Sequence, residues 1–347
     1  TTSCVIVLAL LASASSHAQE KPWHLESAFG GPDWLSITGS FRLRYENLEN
    51  TFRVVGPAQD ELLVSRLLVH ARATGERFYG GIELQDSRAW LDQDLTPVGT
   101  DDVNALEPLQ LYAGYRTDKL DVQLGRMTMD VGSRRFVARN LTRNTLNGFT
   151  GINARWTLSG RRSLQAFLTM PTARLPNNLE RGKLRNNEFV LDQEHKERAF
   201  WGLYLSGIGL ANGFQTDWYL FGIHEEDRPS LPTRNRDFLT AGLRVRKSTD
   251  LWSFEFETAL QSGETRATLL PSDVTDLDHR AWFAHAELSR DLAGSWAPSV
   301  ILRLDYASGD KDPDDDEFNR FDTLFGARRW EFGVTGIHGV FARSNIL

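Results

Sequence analysis

The chain has 347 residues, a formal net charge of -7 and a mean hydropathy of -0.37, with 28 Gly, 10 Trp, 7 Tyr and 20 Phe. It is too polar for a bundle of membrane helices, and no run approaches the roughly 20 apolar residues that such a helix needs. An acidic balance gives no general attraction for nucleic acid, and no linker or change of texture divides the chain, so a single domain is expected.

The one long apolar stretch, Cys4 to Ala14, is followed by Ser16-His17-Ala18-Gln19. It is too short to span a bilayer and ends in small residues, which is the pattern of a signal peptide over residues 1–18, cut after Ala18 and lacking its basic start. The alternative is a buried N-terminal helix. Residues 19–347 are then the mature domain, and Cys4, the only cysteine, is lost with the leader. That removes disulfides, thiol catalysis and cysteine-based metal sites from consideration.

From Ile37 onward the texture is a two-residue alternation. In Ile37 to Glu46 the odd positions are apolar, glycine or tyrosine, and the even ones include Arg42, Arg44 and Glu46. This is the period of a strand with one apolar and one wet face. In chain order the apolar sets are Leu67 to Ala73, Ile82 and Leu84, Leu109 to Tyr115, Leu120 to Leu124, Ile152 to Leu158 and Leu164 to Leu168. They continue with Trp201 to Leu205, Phe214 to Leu220, Leu239 to Val245, Trp252 to Leu260, Trp282 to Leu288 and Val300 to Tyr306. About thirteen strands result. Short turns (Thr117–Lys119, Ser159–Arg162, Gly207–Gly213) alternate with long polar connections (Asp92–Asn104, Pro171–Glu197, His224–Arg236, Gly309–Arg329). That asymmetry, with aromatic residues such as Trp34, Tyr45, Trp156, Trp282 and Tyr306, predicts an all-β antiparallel transmembrane barrel; a soluble sandwich or jelly roll is the alternative. The chain stops at Phe341-Ala342-Arg343-Ser344-Asn345-Ile346-Leu347 in loop texture. Since a barrel in lipid leaves no open edge, an incomplete barrel is expected, with roughly four to five more strands beyond Leu347 and no closing partner for the first strand.

Two segments break the strand texture: Gly125-Arg126 through Gly132-Ser133-Arg134-Arg135, Ala138-Arg139-Asn140 and Arg143-Asn144-Thr145 to Phe149-Thr150-Gly151, and Phe321 to Gly333 with Arg328-Arg329. Guanidinium forks beside asparagine suit an anionic, hydroxyl-rich ligand, and a solvated loop is the plainer alternative. These motifs, with Tyr306-Ala307-Ser308-Gly309-Asp310 and Phe341-Ala342-Arg343-Ser344-Asn345, resemble the alginate export family of outer-membrane proteins from about Trp34 onward. The resemblance implies a monomeric barrel, eighteen-stranded in the family's well-known member, with an arginine-lined lumen that selects a polyuronate. By it, Arg42, Arg44, Arg66, Arg126, Arg134, Arg135, Arg143, Arg155, Arg328 and Arg329 line the pore or its mouth. The inward face also offers Glu46, Glu83, Asp121, Asp217, Glu255, Glu257, Glu287 and Asp305, so pairing of these arginines across strands is an equal alternative.

Asp310, Asp312, Asp314 and Asp316 superficially resemble the start of a calcium loop, but Asp315 stands where that loop needs glycine, and a solvated acidic loop is favoured over a weak Ca²⁺ site. No Gly-x-Ser-x-Gly, His-Glu-x-x-His or phosphate loop occurs, so no enzyme and no cofactor are expected. The resulting expectation is a passive channel in the outer membrane of a Gram-negative bacterium, surrounded by lipid and lipopolysaccharide. It would pass an anionic polysaccharide or oligosaccharide, by diffusion or pushed by a periplasmic export machine. The alternatives are a porin taking up small sugars or organic acids and, from another class, an outer-membrane enzyme or a carbohydrate-binding β-protein.

Overall fold

The computed structural model describes residues 30–327 apart from 50–58, 94, 95, 97, 229–231, 271, 294 and 295. Thirteen long strands follow one another: β1 (Leu35–Glu49), β2 (Gln59–Thr74), β3 (Phe78–Trp90), β4 (Asn104–Arg116), β5 (Leu120–Met127), β6 (Phe149–Ser159), β7 (Arg162–Pro171), β8 (Arg198–Gly209), β9 (Gln215–Glu225), β10 (Asp237–Ser248), β11 (Trp252–Thr265), β12 (Leu277–Asp291) and β13 (Ser299–Ala307). Each pairs antiparallel with the next in one meandering sheet, and the two-residue β14 (Glu317–Phe318) lies parallel to the start of β12. All thirteen segments singled out by the alternation are strands. Short connections (75–77, 117–119, 160–161, 210–214, 249–251, 292–298) alternate with long ones (91–103, 128–148, 172–197, 226–236, 266–276). Among the described residues β1 pairs with β2 and β13 with β12, and no pairing joins β1 to β13. The expected signal peptide, Arg328, Arg329 and the segment 341–345 lie outside the described residues.

The sheet's outer face carries the alternating apolar set. Phe41, Leu43, Leu111, Leu124, Leu168, Trp218, Leu260 and Leu302 are all exposed, Leu302 at 69 %. So much contiguous apolar surface is untenable in water and is what lipid requires. Trp282 and Tyr306 stack at 4.5 Å on that face.

One strand departs from the expected phase. Leu109 was expected outward with Leu111, yet it is buried and packs with Leu68 and Leu146. The β3–β4 register explains this: Glu83 faces Gln110 while Leu84 faces Pro108, so the ladder shifts there and leaves Leu109 without an opposite residue. A bulge of this kind resets the two-residue period, so Leu109 and Glu107 are buried and Leu106 is exposed, until a second shift opposite Gln85 and Ser87.

The concave side is filled rather than empty. The long connection 128–148 folds inward, and the stretch 321–327 runs beside it: Ala138 N donates to Phe325 O (3.1 Å), Phe325 N to Phe136 O (3.0 Å) and Ala327 N to Arg134 O (3.0 Å). A Cβ at Gly326 would run into the Arg135 carbonyl, so only glycine permits this approach. Gly132, at φ 55°, similarly turns the loop against the Tyr204 ring.

Candidate functional site

The inward loop meets the wall through two kinds of chemistry. Toward β7–β12 it presents an aromatic core. The Phe136 ring lies 5.5 Å from Tyr219, 6.0 Å from Phe283 and 5.9 Å from Phe321, and Phe325 lies 4.9 Å from Phe200. Phe167, Phe200, Phe221 and Phe283 are inward residues of their strands and all are buried. The strand reading followed the outward sets and missed them. The available signal was that an aromatic side chain in a wet-facing phase must be covered by something.

Toward β1–β4 the contacts are polar. Arg66 Nη1 donates to the carbonyls of Leu141 (2.8 Å) and Arg143 (2.7 Å), and Arg42 Nη2 to that of Arg143 (2.6 Å). Arg139 forks onto Glu83 at 2.5 and 2.8 Å. Asn144 Nδ2 donates to Ser65 O (2.8 Å) and Asp102 O (2.7 Å), Ser87 Oγ donates to Asn144 O (2.7 Å), and Leu146 N donates to Gln85 Oε1 (3.0 Å). The loop is thus tied to three strands by groups that the alternation turns inward.

The arginines expected along the pore therefore divide. Arg42 and Arg66 clamp loop carbonyls, and Arg44 pairs with Glu46 at 2.5 Å. Arg126 binds Glu107 and, at 2.6 Å, Glu194. Arg134 occupies a turn at φ 67°, and Arg135 bridges Glu255 and Glu257 at 2.6 Å each. Arg143 shares Asp101 with Arg174, at 3.1 and 3.0 Å. Arg155 donates to the Gln165 amide oxygen at 2.9 Å. All eight inward carboxylates of the sequence have a basic neighbour: Glu46, Glu83, Glu255 and Glu257 as above, Asp121 with Arg116 (2.6 Å), Asp217 with Arg246 (3.3 Å), Glu287 with Arg303 (2.7 Å) and Asp305 with His285 (2.8 Å). Among these arginines Arg44, Arg126, Arg135 and Arg143 pair with carboxylates, whereas Arg42, Arg66 and Arg155 bind carbonyl or amide oxygens. Such pairs do little for net stability, yet removing one partner strands a charge.

Two of the cavities that border the loop bear on function. One, of about 650 Å³, opens toward the long connections and is lined by Arg143, Arg174, Arg181, Arg198, Arg236 and Asp101 among others. Arg198 and Arg236 share Glu225 at 2.7 Å each, and Arg236 also reaches Asp322 at 3.1 Å. Burial disfavours the Arg236 charge, but those two carboxylates more than offset it and hold its pKa above the ordinary value. Arg181, on a single helical turn, donates to the Thr96 carbonyl and has no ion-pair partner among the described residues. Of these cationic residues the sequence had singled out Arg143 alone. Arg174 and Arg181 lie in the 172–197 connection, whose local pattern gives no sign of folding inward. The second cavity, of about 240 Å³, lies at the short-turn end beneath Thr128–Asp130 and is lined by Arg72, Tyr79, Tyr112, Asn153, Arg155 and Gln165 among others.

The acidic loop resolves as turns. Asp312 Oδ1 accepts from Asp314 N (3.2 Å) and Asp315 Oδ1 from Glu317 N (2.9 Å), and among the described residues no group of three His, Cys, Asp or Glu is disposed to hold a metal.

The sequence profile of the alginate export family matches residues 33–346. Comparison with curated proteins finds no match. Similar solved structures include Pseudomonas aeruginosa OccK9 (OpdG), at 12 % identity and TM-score 0.47, covering 79 % of this chain and 70 % of that one. They also include Acinetobacter baumannii OccAB1, at 11 % and 0.46 with 82 % and 83 % covered, and the Pseudomonas aeruginosa outer membrane protein opdK, at 9 % and 0.45 with 81 % and 84 % covered.

Proposed function

Because the chain belongs to the alginate export family, we propose that it conducts an anionic polysaccharide or oligosaccharide, a polyuronate of the alginate kind, through its arginine-rich interior. It is a channel of the Gram-negative outer membrane and not an enzyme. The observation that carries the substrate reading is the larger cavity, where five arginines and two aspartates, Asp101 and Asp102, line one space. With Glu225 and Asp322 counted behind them the balance is still positive by one (five minus four). Guanidinium forks there exchange water for the carboxylates of a passing chain. Because several already share a carboxylate, each hold is weak enough to release, as conduction requires. Transport is passive, driven by diffusion or by a periplasmic machine feeding the polymer to a monomeric barrel set among lipid and lipopolysaccharide.

The test is single-channel recording in planar bilayers. Arg174→Glu with Arg181→Glu should abolish or invert the anion preference and weaken block by an alginate-derived trisaccharide; an unchanged preference refutes the reading. A second reading, uptake of small sugars or organic acids, is favoured by the inward loop, which is tied to the wall on both sides and narrows the interior. Current blocked by a monovalent organic acid and indifferent to the trisaccharide would select it.

A further inference from the structure

The smaller cavity differs from the rest of the interior in how its cations are held. We propose that it is a loading site at the periplasmic end, where Arg72 and Arg155 capture the carboxylate of one uronate unit; this rests on the polyuronate reading above. Its place follows from the topology. Arg72 precedes the short turn 75–77, Tyr79 follows it, and Arg116 and Asp121 flank the short turn 117–119. In an outer-membrane barrel the short turns are periplasmic, the side from which an exported polymer arrives.

Arginines elsewhere along the inward face are bonded to carboxylates or carbonyls. Among the described residues Arg72 has no hydrogen-bonded or ionic partner: its guanidinium lies over the Tyr79 ring, 4.7 Å from the centroid, and its Nε is buried without an acceptor. Stacking on a ring engages the guanidinium face and leaves its N–H edge for a planar anion. Arg155 spends its bond on a neutral amide, Gln165. Arg116 is cancelled by Asp121 at 2.6 Å. Asp130, whose Oδ1 accepts Arg139 N at 2.9 Å, is the opposing charge, so the cavity keeps an excess of one positive charge (Arg72 and Arg155 against Asp130).

The remaining lining suits the rest of a uronate. Asn153, Gln165 and Gln123 offer amide donors and acceptors for ring hydroxyls, and Asp130 accepts from hydroxyls as well. The cavity measures about 240 Å³, less than half of the larger one's 650 Å³. The inward loop roofs the cavity through Thr128–Asp130 and borders the larger one through Arg143 and Asn147, so the same loop lines both cavities.

The experiment is block of single-channel current by an alginate-derived trisaccharide, added in turn to each side of a channel of known orientation. For Arg72→Gln and Arg155→Gln, each made separately and checked for wild-type heat-modifiable mobility, the half-blocking concentration from the periplasmic side should rise at least tenfold. From the long-connection side it should change less than twofold. Arg155→Lys, which keeps the charge and loses the fork, should fall between. Should Arg72→Gln fail to assemble, the two Arg155 variants decide alone. Periplasmic block equal to wild type in the variants, or equal loss from both sides, overturns the loading site. No block of the wild-type channel from either side overturns the polyuronate reading instead.

Discussion

The inward loop is held by rings on one half of the interior and by guanidinium groups and amides on the other, and the two halves do different jobs. Toward β7–β12, Phe136, Phe221, Phe283 and Phe321 form a dry core that fixes where the loop lies. Toward β1–β4, Arg42, Arg66 and Arg139 satisfy loop carbonyls and the Glu83 carboxylate while leaving a polar surface along the path. Apolar packing is indifferent to what passes, whereas a polar tether stays compatible with a wet, ligand-bearing lumen. A channel that must keep a constriction in place without closing it has reason to use both.

The contrast is broken most severely at Arg135, the ionic contact inside the aromatic half. Arg135→Ala leaves Glu257 without its cation, while Glu255 keeps Arg244, at a cost of about 3 to 5 kcal/mol. The variant should melt well below wild type in detergent, with noisier current from a loosened loop. Arg139→Ala should do the same to Glu83 on the polar half. Both deficits should shrink on acidification, because a neutral carboxylic acid needs no counter-charge. A deficit independent of pH would mean that the guanidinium acts by packing alone.

Next in size is Phe136→Leu. The ring makes edge-to-face contacts with Phe283 and Phe321 and a tilted one with Tyr219, and its loss should cost about 1 to 2 kcal/mol. Here the deficit should be the same at every pH, and the anion preference should not move. A shift of selectivity with this variant would show that the aromatic half also shapes the path.

The outward half of this fold was legible in the sequence because lipid enforces one rule at every second position. Leu302 and Leu260 could be placed by counting alone. The inward half was not, because what faces inward depends on residues far along the chain. Phe283 is covered by Phe136 and Phe321, and no local pattern announces that a loop will arrive there. Leu109 failed for a local reason: a bulge resets the period there, and the neighbouring Pro108 was the one available mark of it. Arg135 and Arg143 were recognised as a cluster with a purpose, but whether each meets a carboxylate or the lumen is set by the register of β11 for the first and by the course of the 91–103 connection, which carries Asp101, for the second. Arg72 stood in plain alternation with Ala71 and Ala73 and had nothing to distinguish it until its missing partner was visible.

The smallest expected effect concerns the seam between the halves and the 172–197 connection. Asp192 is buried where that connection docks on β4 and β5: its Oδ1 accepts Leu175 N (2.8 Å), its Oδ2 accepts Asn104 Nδ2 (3.0 Å), and its backbone N donates to Glu107 Oε2 (2.9 Å). The neighbouring Arg126 is engaged with Glu107 and Glu194. Burial first, and the nearby Glu107 charge second, push the Asp192 carboxyl up to about 7, against the pull of Leu175 N, Asn104 and Arg174. A carboxyl that holds its proton more tightly folded than unfolded stabilises the docked connection fully below its unfolded value near 4, and that contribution is lost as pH rises through about 7. Asn104 Oδ1 is buried without a partner, so a half-turn of that amide supplies an acceptor for the protonated form. Amide exchange at Leu175, corrected for its intrinsic rate, should therefore speed up several-fold between pH 6 and 8. In Asp192→Asn, which mimics the neutral carboxyl and its donor, that dependence should flatten at the protected level. Equal pH dependence in both proteins would assign the effect to another group, and the docking would then owe nothing to this carboxyl.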